Sequence, residues 1–154
     1  MRKKKSLLEQ LKEEMRKPGS KYYIHSLYND AIQEALSDGI LINFHHNGSE
    51  NEYATLEDRR IYICVDSLNN PTVELLFDLY HEIGHILTNE INQKRYYQEY
   101  LATEYAIKRF KKLGLKLPAK RKREWQEYIY KWRETSIKLR GKNILPKEKL
   151  VLSW

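Results

Sequence analysis

His81-Glu82-Ile83-Gly84-His85 follows an apolar run of Val73, Leu75, Leu76, Phe77, Leu79 and Tyr80, and Ile86 and Leu87 continue that run beyond it. The pattern predicts one largely buried helix. On a helix, residues four apart share a face one turn apart, so the imidazoles of His81 and His85 can converge on a single metal ion. Glu82 stands beside them, where a carboxylate can act as general base toward a metal-bound water. Two histidines and a glutamate inside an apolar helix are costly to bury without a metal or partners. The pentad alone is only moderately specific, so the flanking sequence has to support it.

Upstream, Arg60-Ile61-Tyr62-Ile63-Cys64-Val65 is a β-branched and aromatic run closed by Asp66-Ser67, which predicts a strand and a turn. Pro71 fits a first helical position, with Asn69 or Asn70 as the cap. A strand followed by such a helix is an arrangement in which an edge strand can hold an extended peptide beside the metal. A catalytic zinc needs a third protein ligand, and Glu90, Glu99 and Glu104 are the acids downstream. Glu90 lies too close along the chain to turn back. Glu99, Ala102, Ala106, Phe110 and Leu113 form one helical stripe, and Glu104 points away from it. The two alanines allow close approach of two helices, so Glu99 is the expected ligand.

These residues resemble a family. Ile61-Tyr62-Ile63, then His81-Glu82-Ile83-Gly84-His85-Ile86-Leu87, then Glu99-Tyr100-Leu101-Ala102-Thr103-Glu104-Tyr105-Ala106 look like the ImmA/IrrE metallopeptidases of bacteria, phages and mobile elements. The resemblance spans roughly Gly39 to Leu115. It implies a gluzincin-like enzyme with one zinc per chain, held by both motif histidines and a downstream acid. It further implies that the substrate is a transcriptional repressor, typically a helix-turn-helix protein. Leu101 stands where many members carry an acid, which leaves Glu99 as the ligand.

The 154 residues suit one domain, with N-terminal helices over 1–38, a catalytic core over 39–115 and a basic helical extension over 116–154. The expected class is α+β: mainly helical and zincin-like, with about three antiparallel strands. Helices are expected over Ser6–Arg16 and Tyr22–Leu36, separated by Pro18-Gly19 and stopped at Asp38-Gly39. Strands are expected over Ile40–His45, Glu52–Leu56 and Arg60–Val65, the first two joined by a turn at Asn47-Gly48. The Glu99 helix should end at Gly114, a long helix should run from Ala119 to about Leu139, and the tail Ile144–Trp154 reads as a docking strand. No apolar run is long enough to cross a bilayer, and the one cysteine, Cys64, excludes an internal disulfide, so a reducing cytoplasm is expected.

Between Lys108 and Lys142 stand fourteen Lys and Arg against three acids, a net of +11 in a chain of +7, so the remainder sums to −4. That asymmetry suits a polyanion or an acidic protein partner. Trp125, Tyr128, Ile129, Trp132, Ser136 and Leu139 form a regular apolar stripe that reads as core packing, with nucleic-acid contact the less favoured role for this helix. His45 and His46 fit a strand end, and His25 a packing or surface position. Tyr80, Tyr96, Tyr97, Tyr100 and His46 are all available to stabilise an oxyanion, and the sequence does not choose among them. The alternative to a zinc peptidase is a DNA- or repressor-binding regulator with a structural metal site. An intact Glu82 favours the enzyme, because a structural site has no use for a general base.

Overall fold

A computed structural model describes residues 6–17, 20–46 and 52–154. The expected break at Pro18-Gly19 and turn at Asn47-Gly48 lie outside the described residues. In chain order the elements are α1 (Leu7–Arg16), α2 (Lys21–Ser37), β1 (Leu41–His45), β2 (Tyr53–Thr55), β3 (Arg60–Cys64), α3 (Val65–Asn69), α4 (Val73–Thr88), α5 (Arg95–Leu113) and α6 (Ala119–Lys138), then a 3-10 turn at Lys147–Leu150. The α+β class is as expected, and among the described residues no helix is long and apolar enough to cross a membrane.

The sheet corrects the expectation of antiparallel strands. Its order is β1-β3-β2, with β3 antiparallel to β2 but parallel to β1, Ile42 opposite Ile61. β3 takes the centre because it is the one strand with Ile61, Ile63 and Cys64 all buried, whereas β1 is largely exposed, as an edge strand can be.

A second correction concerns the approach to the motif helix. Asp66-Ser67 is not a turn but part of the short helix α3, and α4 is capped by Thr72, whose hydroxyl accepts from Leu75 N at 3.1 Å. Pro71 precedes that cap, so neither Asn69 nor Asn70 serves. α4 is the hub of the core. Leu76, Phe77 and Leu79 are fully buried, and α4 packs along α5 and against α2 and the sheet. Gly84 is what lets α5 come so near. A Cβ there would lie 2.8 Å from the carbonyl oxygen of Ala102 and 3.0 Å from its Cα.

α5 ends as expected at Gly114, whose φ of 69° provides the left-handed exit that favours glycine. The tail docks, though not as a strand. Gln126 donates to Leu150 O at 2.9 Å and accepts from Leu152 N at 2.8 Å, a side-chain amide standing where a neighbouring strand would. Leu150 is buried, and Trp154 stacks on Phe77 with ring centroids 5.6 Å apart.

Candidate metal centre

His81 and His85 lie on the buried face of α4, one turn apart, and Glu99 reaches them from the first turns of α5. All three are at most 6% exposed. His81 Nε2 and His85 Nε2 stand 3.0 Å apart, and Glu99 Oε2 lies 3.0 Å from the first and 3.3 Å from the second. Ligands of a tetrahedral zinc at 2.0–2.1 Å are separated by about 3.3 Å, so the triangle has the size such an ion requires.

The tautomers are fixed from behind. Thr103 Oγ1 donates its only proton to the Glu99 carbonyl at 2.7 Å, so at 3.2 Å it can only accept from His81 Nδ1. The amide nitrogen of Asn89 donates to Gln98 O and Thr88 Oγ1, which leaves its oxygen to accept from His85 Nδ1 at 2.5 Å. With both Nδ1 atoms protonated, both neutral rings turn a bare Nε2 lone pair inward, toward a carboxylate oxygen. Three acceptors within 3.3 Å repel one another unless a cation lies among them. Buried His81-His85-Glu99 is thus a group that can hold a metal ion.

Electrostatics agree. Burial holds the His81 imidazolium back, with a pKa lowered to about 4. Burial also works to lower His85, but hydrogen bonding and charge from Glu99 outweigh it and raise the value; the positive charge favoured there is what a metal ion supplies in place of a proton. Burial works to raise Glu99, and the two histidines overcome it and bring it below the usual carboxylate range. Arg95 Nη2 lies 2.5 Å from Glu99 Oε1, off the hydrogen-bond line.

Glu82 lines a cleft of ≈ 380 Å³ together with His81, Asp78 and Glu52. Its pKa is pushed up to about 8, first by burial and then by Glu99 and Asp78, against the pull of His85 and Arg95. The opposite wall comes from α6: Trp125 and Tyr128, with Arg121 and Glu124 paired at 2.7 Å. The Trp125 ring lies 4.7 Å from that of His81 and 5.3 Å from Phe77, so the aromatic stripe packs on the motif helix as its spacing predicts.

Other expected residues fall elsewhere. Glu104 points away from the cluster, and both its oxygens accept from Ser153. Tyr80 is buried in the core, with Arg109 over its ring; Tyr96 accepts from Leu145 N; Tyr97 and Tyr100 stack on each other. None of these tyrosines lines the cleft, and neither do His45 and His46. Tyr128 does, and it was not among the residues expected to stabilise an oxyanion. Burial, then the charge of Glu99, raises its pKa and keeps it a phenol with a proton to donate. His25 hydrogen-bonds Asn29 on an outer turn of α2. Asn89 and Thr103 were also missed, although each stands four residues after a ligand, His85 and Glu99, and so on the same helical face.

Compared with protein-family models, curated proteins and solved structures, the chain has no significant match in any of the three.

Proposed function

We propose that the chain is a zinc-dependent peptidase in which His81, His85 and Glu99 hold the metal and Glu82 is the general base. One observation carries this reading. Two Nε2 lone pairs, locked inward by Thr103 and Asn89, meet the Glu99 carboxylate beside a cleft that also receives Glu82. Two imidazoles and one carboxylate are the ligand set of catalytic rather than structural zinc, because three protein ligands leave a coordination position free.

Zinc held there supplies Lewis-acid polarisation of a carbonyl and acidifies water. Glu82 takes the proton of the attacking water and passes it to the departing amine as the C–N bond breaks. Tyr128 offers an O–H to the oxygen on which charge develops. Among the described residues β2 pairs only with β3, and β2 follows directly on Glu52 in the cleft wall, so its other edge can align an extended peptide by main-chain hydrogen bonds. The substrate we favour is a cytoplasmic protein such as a helix-turn-helix repressor, as the family resemblance implies.

The test is a pair of measurements on one variant. Glu82→Gln should keep close to one zinc per chain by elemental analysis while losing cleavage of an unstructured peptide by about 10²–10⁴-fold. Wild-type protein purified with zinc present but carrying none would refute the reading.

A further inference from the structure

The chain is basic as a whole, yet its cleft is acidic. Glu52, Asp78, Glu82 and Glu124 line it against a single cation, Arg121, and Arg121 is engaged with Glu124 at 2.7 Å. Glu52 stands out. It is 5% exposed, Tyr28 Oη donates to its Oε1 at 2.9 Å, and its Oε2 has no hydrogen-bond partner among the described residues. A buried polar atom left unpaired is costly, so the wall retains an acceptor unused among the described residues. Asp78 makes no hydrogen bond or ion pair among the described residues either. Its carboxyl is pushed up to about 7, first by burial and then by Glu52, with Arg121 pulling the other way, so two acids share one space with a cation that is itself paired with Glu124.

A cation would complement these acids, and its shape can be narrowed. A second metal ion does not fit: among the described residues only His81, His85 and Glu99 bring three donor atoms within 4.8 Å of one another, so the cleft acids are too dispersed to chelate. A long organic cation suits dispersed acceptors, because a guanidinium spreads five donors over a plane and an ammonium swings on a flexible stem. The facing wall is aromatic. Trp125 and Tyr128 offer ring faces to an alkyl stem, and a π surface to the charge at its end.

Resting on the peptidase reading, we infer that the Glu52–Asp78 wall is a specificity subsite for an arginine or lysine side chain of the substrate, directing cleavage to a peptide bond beside a basic residue. Asp78 and His81 stand three residues apart on α4 and line the same cleft, so a side chain seated there belongs to a residue close to the reacting carbonyl.

The experiment compares zinc-loaded wild type, Glu52→Gln and Asp78→Asn on three fluorogenic peptides that differ only in a central arginine, citrulline or norleucine. Citrulline keeps the shape of arginine and removes its charge. Wild type should favour arginine over citrulline in kcat/KM by about 10–100-fold, as expected for charge-assisted hydrogen bonds in a partly dry site. In each variant that ratio should fall toward one. Glu52→Gln retains an oxygen for Tyr28 and should fold; Asp78→Asn serves as an independent second probe. Equal cleavage of the arginine and citrulline peptides by wild type overturns the subsite and leaves the peptidase standing. If no peptide is cleaved, the peptidase reading fails, and calorimetry with Glu82→Gln protein still decides the subsite. Tenfold tighter binding of the arginine peptide upholds the cation site, and equal binding removes it.

Discussion

The substitution Gly84→Ala isolates the contact on which the metal centre depends. A Cβ at Gly84 would meet the Ala102 carbonyl oxygen at 2.8 Å, its Cα at 3.0 Å and Tyr105 Cβ at 3.0 Å. Comfortable contact between such atoms is about 3.5–4.0 Å, so α4 and α5 must part by roughly 0.5–1 Å at this point. Overpacking of this kind costs about 1–3 kcal/mol, and the better helix propensity of alanine returns about 1 kcal/mol, so the fold should lose only about 0–2 kcal/mol. The site should suffer more. Glu99 lies one turn from Ala102 on a stiff helix and moves with it, while metal–ligand distances tolerate only about 0.2 Å. Zinc affinity, read by competition with a chelator, should therefore fall at least tenfold. Zinc should also raise the melting temperature less in the variant than in wild type, because the stabilisation a ligand gives follows its affinity. Two of the three contacts are to backbone atoms, so adding Ala102→Gly should not rescue. Unchanged zinc affinity in Gly84→Ala together with a higher melting temperature would refute the close-approach argument, as would rescue by Ala102→Gly.

Removing either imidazole, in His81→Ala or His85→Ala, should abolish stoichiometric zinc in elemental analysis. Glu99→Ala should do nearly the same, while Glu104→Ala should keep the zinc and lose about 1 kcal/mol of stability in denaturant titration through its bonds to Ser153. Thr103→Val and Asn89→Ala, which release the ring tautomers, should each weaken zinc about 10–100-fold in the same chelator competition. Asp78 binds its proton more tightly folded than unfolded, so its ionisation erodes stability as pH rises from about 4 through about 7. Asp78→Asn should match wild type below pH 4 and exceed it above pH 7 by about 1–2 kcal/mol, a gain that solvent in the open cleft keeps small. If α6 binds duplex DNA, affinity should fall linearly with salt on logarithmic axes, and replacing Lys120, Arg121, Lys122 and Arg123 by Gln should flatten that slope in gel shifts.

Local patterns carried the site. The spacing of His81 and His85, the stripe from Glu99 to Phe110 and the exit at Gly114 are all helix periodicity and capping, which a sequence displays directly. The cap at Thr72 was hidden because Asp66-Ser67 has turn composition and yet continues as α3, so Asn69 became part of a helix instead of preceding one. The direction of β1 against β3 was not legible, because alternation along a strand fixes which face is buried and says nothing about the partner's direction. Ligand supports were legible in principle: Asn89 and Thr103 sit at the same four-residue spacing that made the histidines noticeable. Glycine at position 84 has no reason within its own helix, where it costs roughly 0.5–1 kcal/mol, and its reason is the backbone of Ala102.

Charge shows why a count along the chain misleads about a surface. The segment from Lys108 to Lys142 carries a net +11, which invites a polyanion, yet much of that charge is committed within the fold. Arg109 pairs with Glu34, Arg121 with Glu124 and Arg133 with Glu134; Lys111 bonds the Ser153 carbonyl; Lys122 lies 5.6 Å over the Trp154 ring. On the inner side of α6, Trp125 and Tyr128 face acids rather than phosphates. A segment so engaged has fewer free cations for DNA than its composition suggests, so any salt slope should be shallower than fourteen basic residues would give. On the peptidase reading, the local charge that a substrate meets is that of the cleft, where Glu52, Asp78, Glu82 and Glu124 stand against Arg121, and not the +7 of the whole chain. A basic peptide segment would therefore be attracted at the reacting centre of a protein whose average charge repels it. Rising ionic strength should accordingly slow cleavage of the arginine peptide while leaving the citrulline peptide nearly unaffected, and equal salt dependence of the two would assign that attraction to nothing in the cleft.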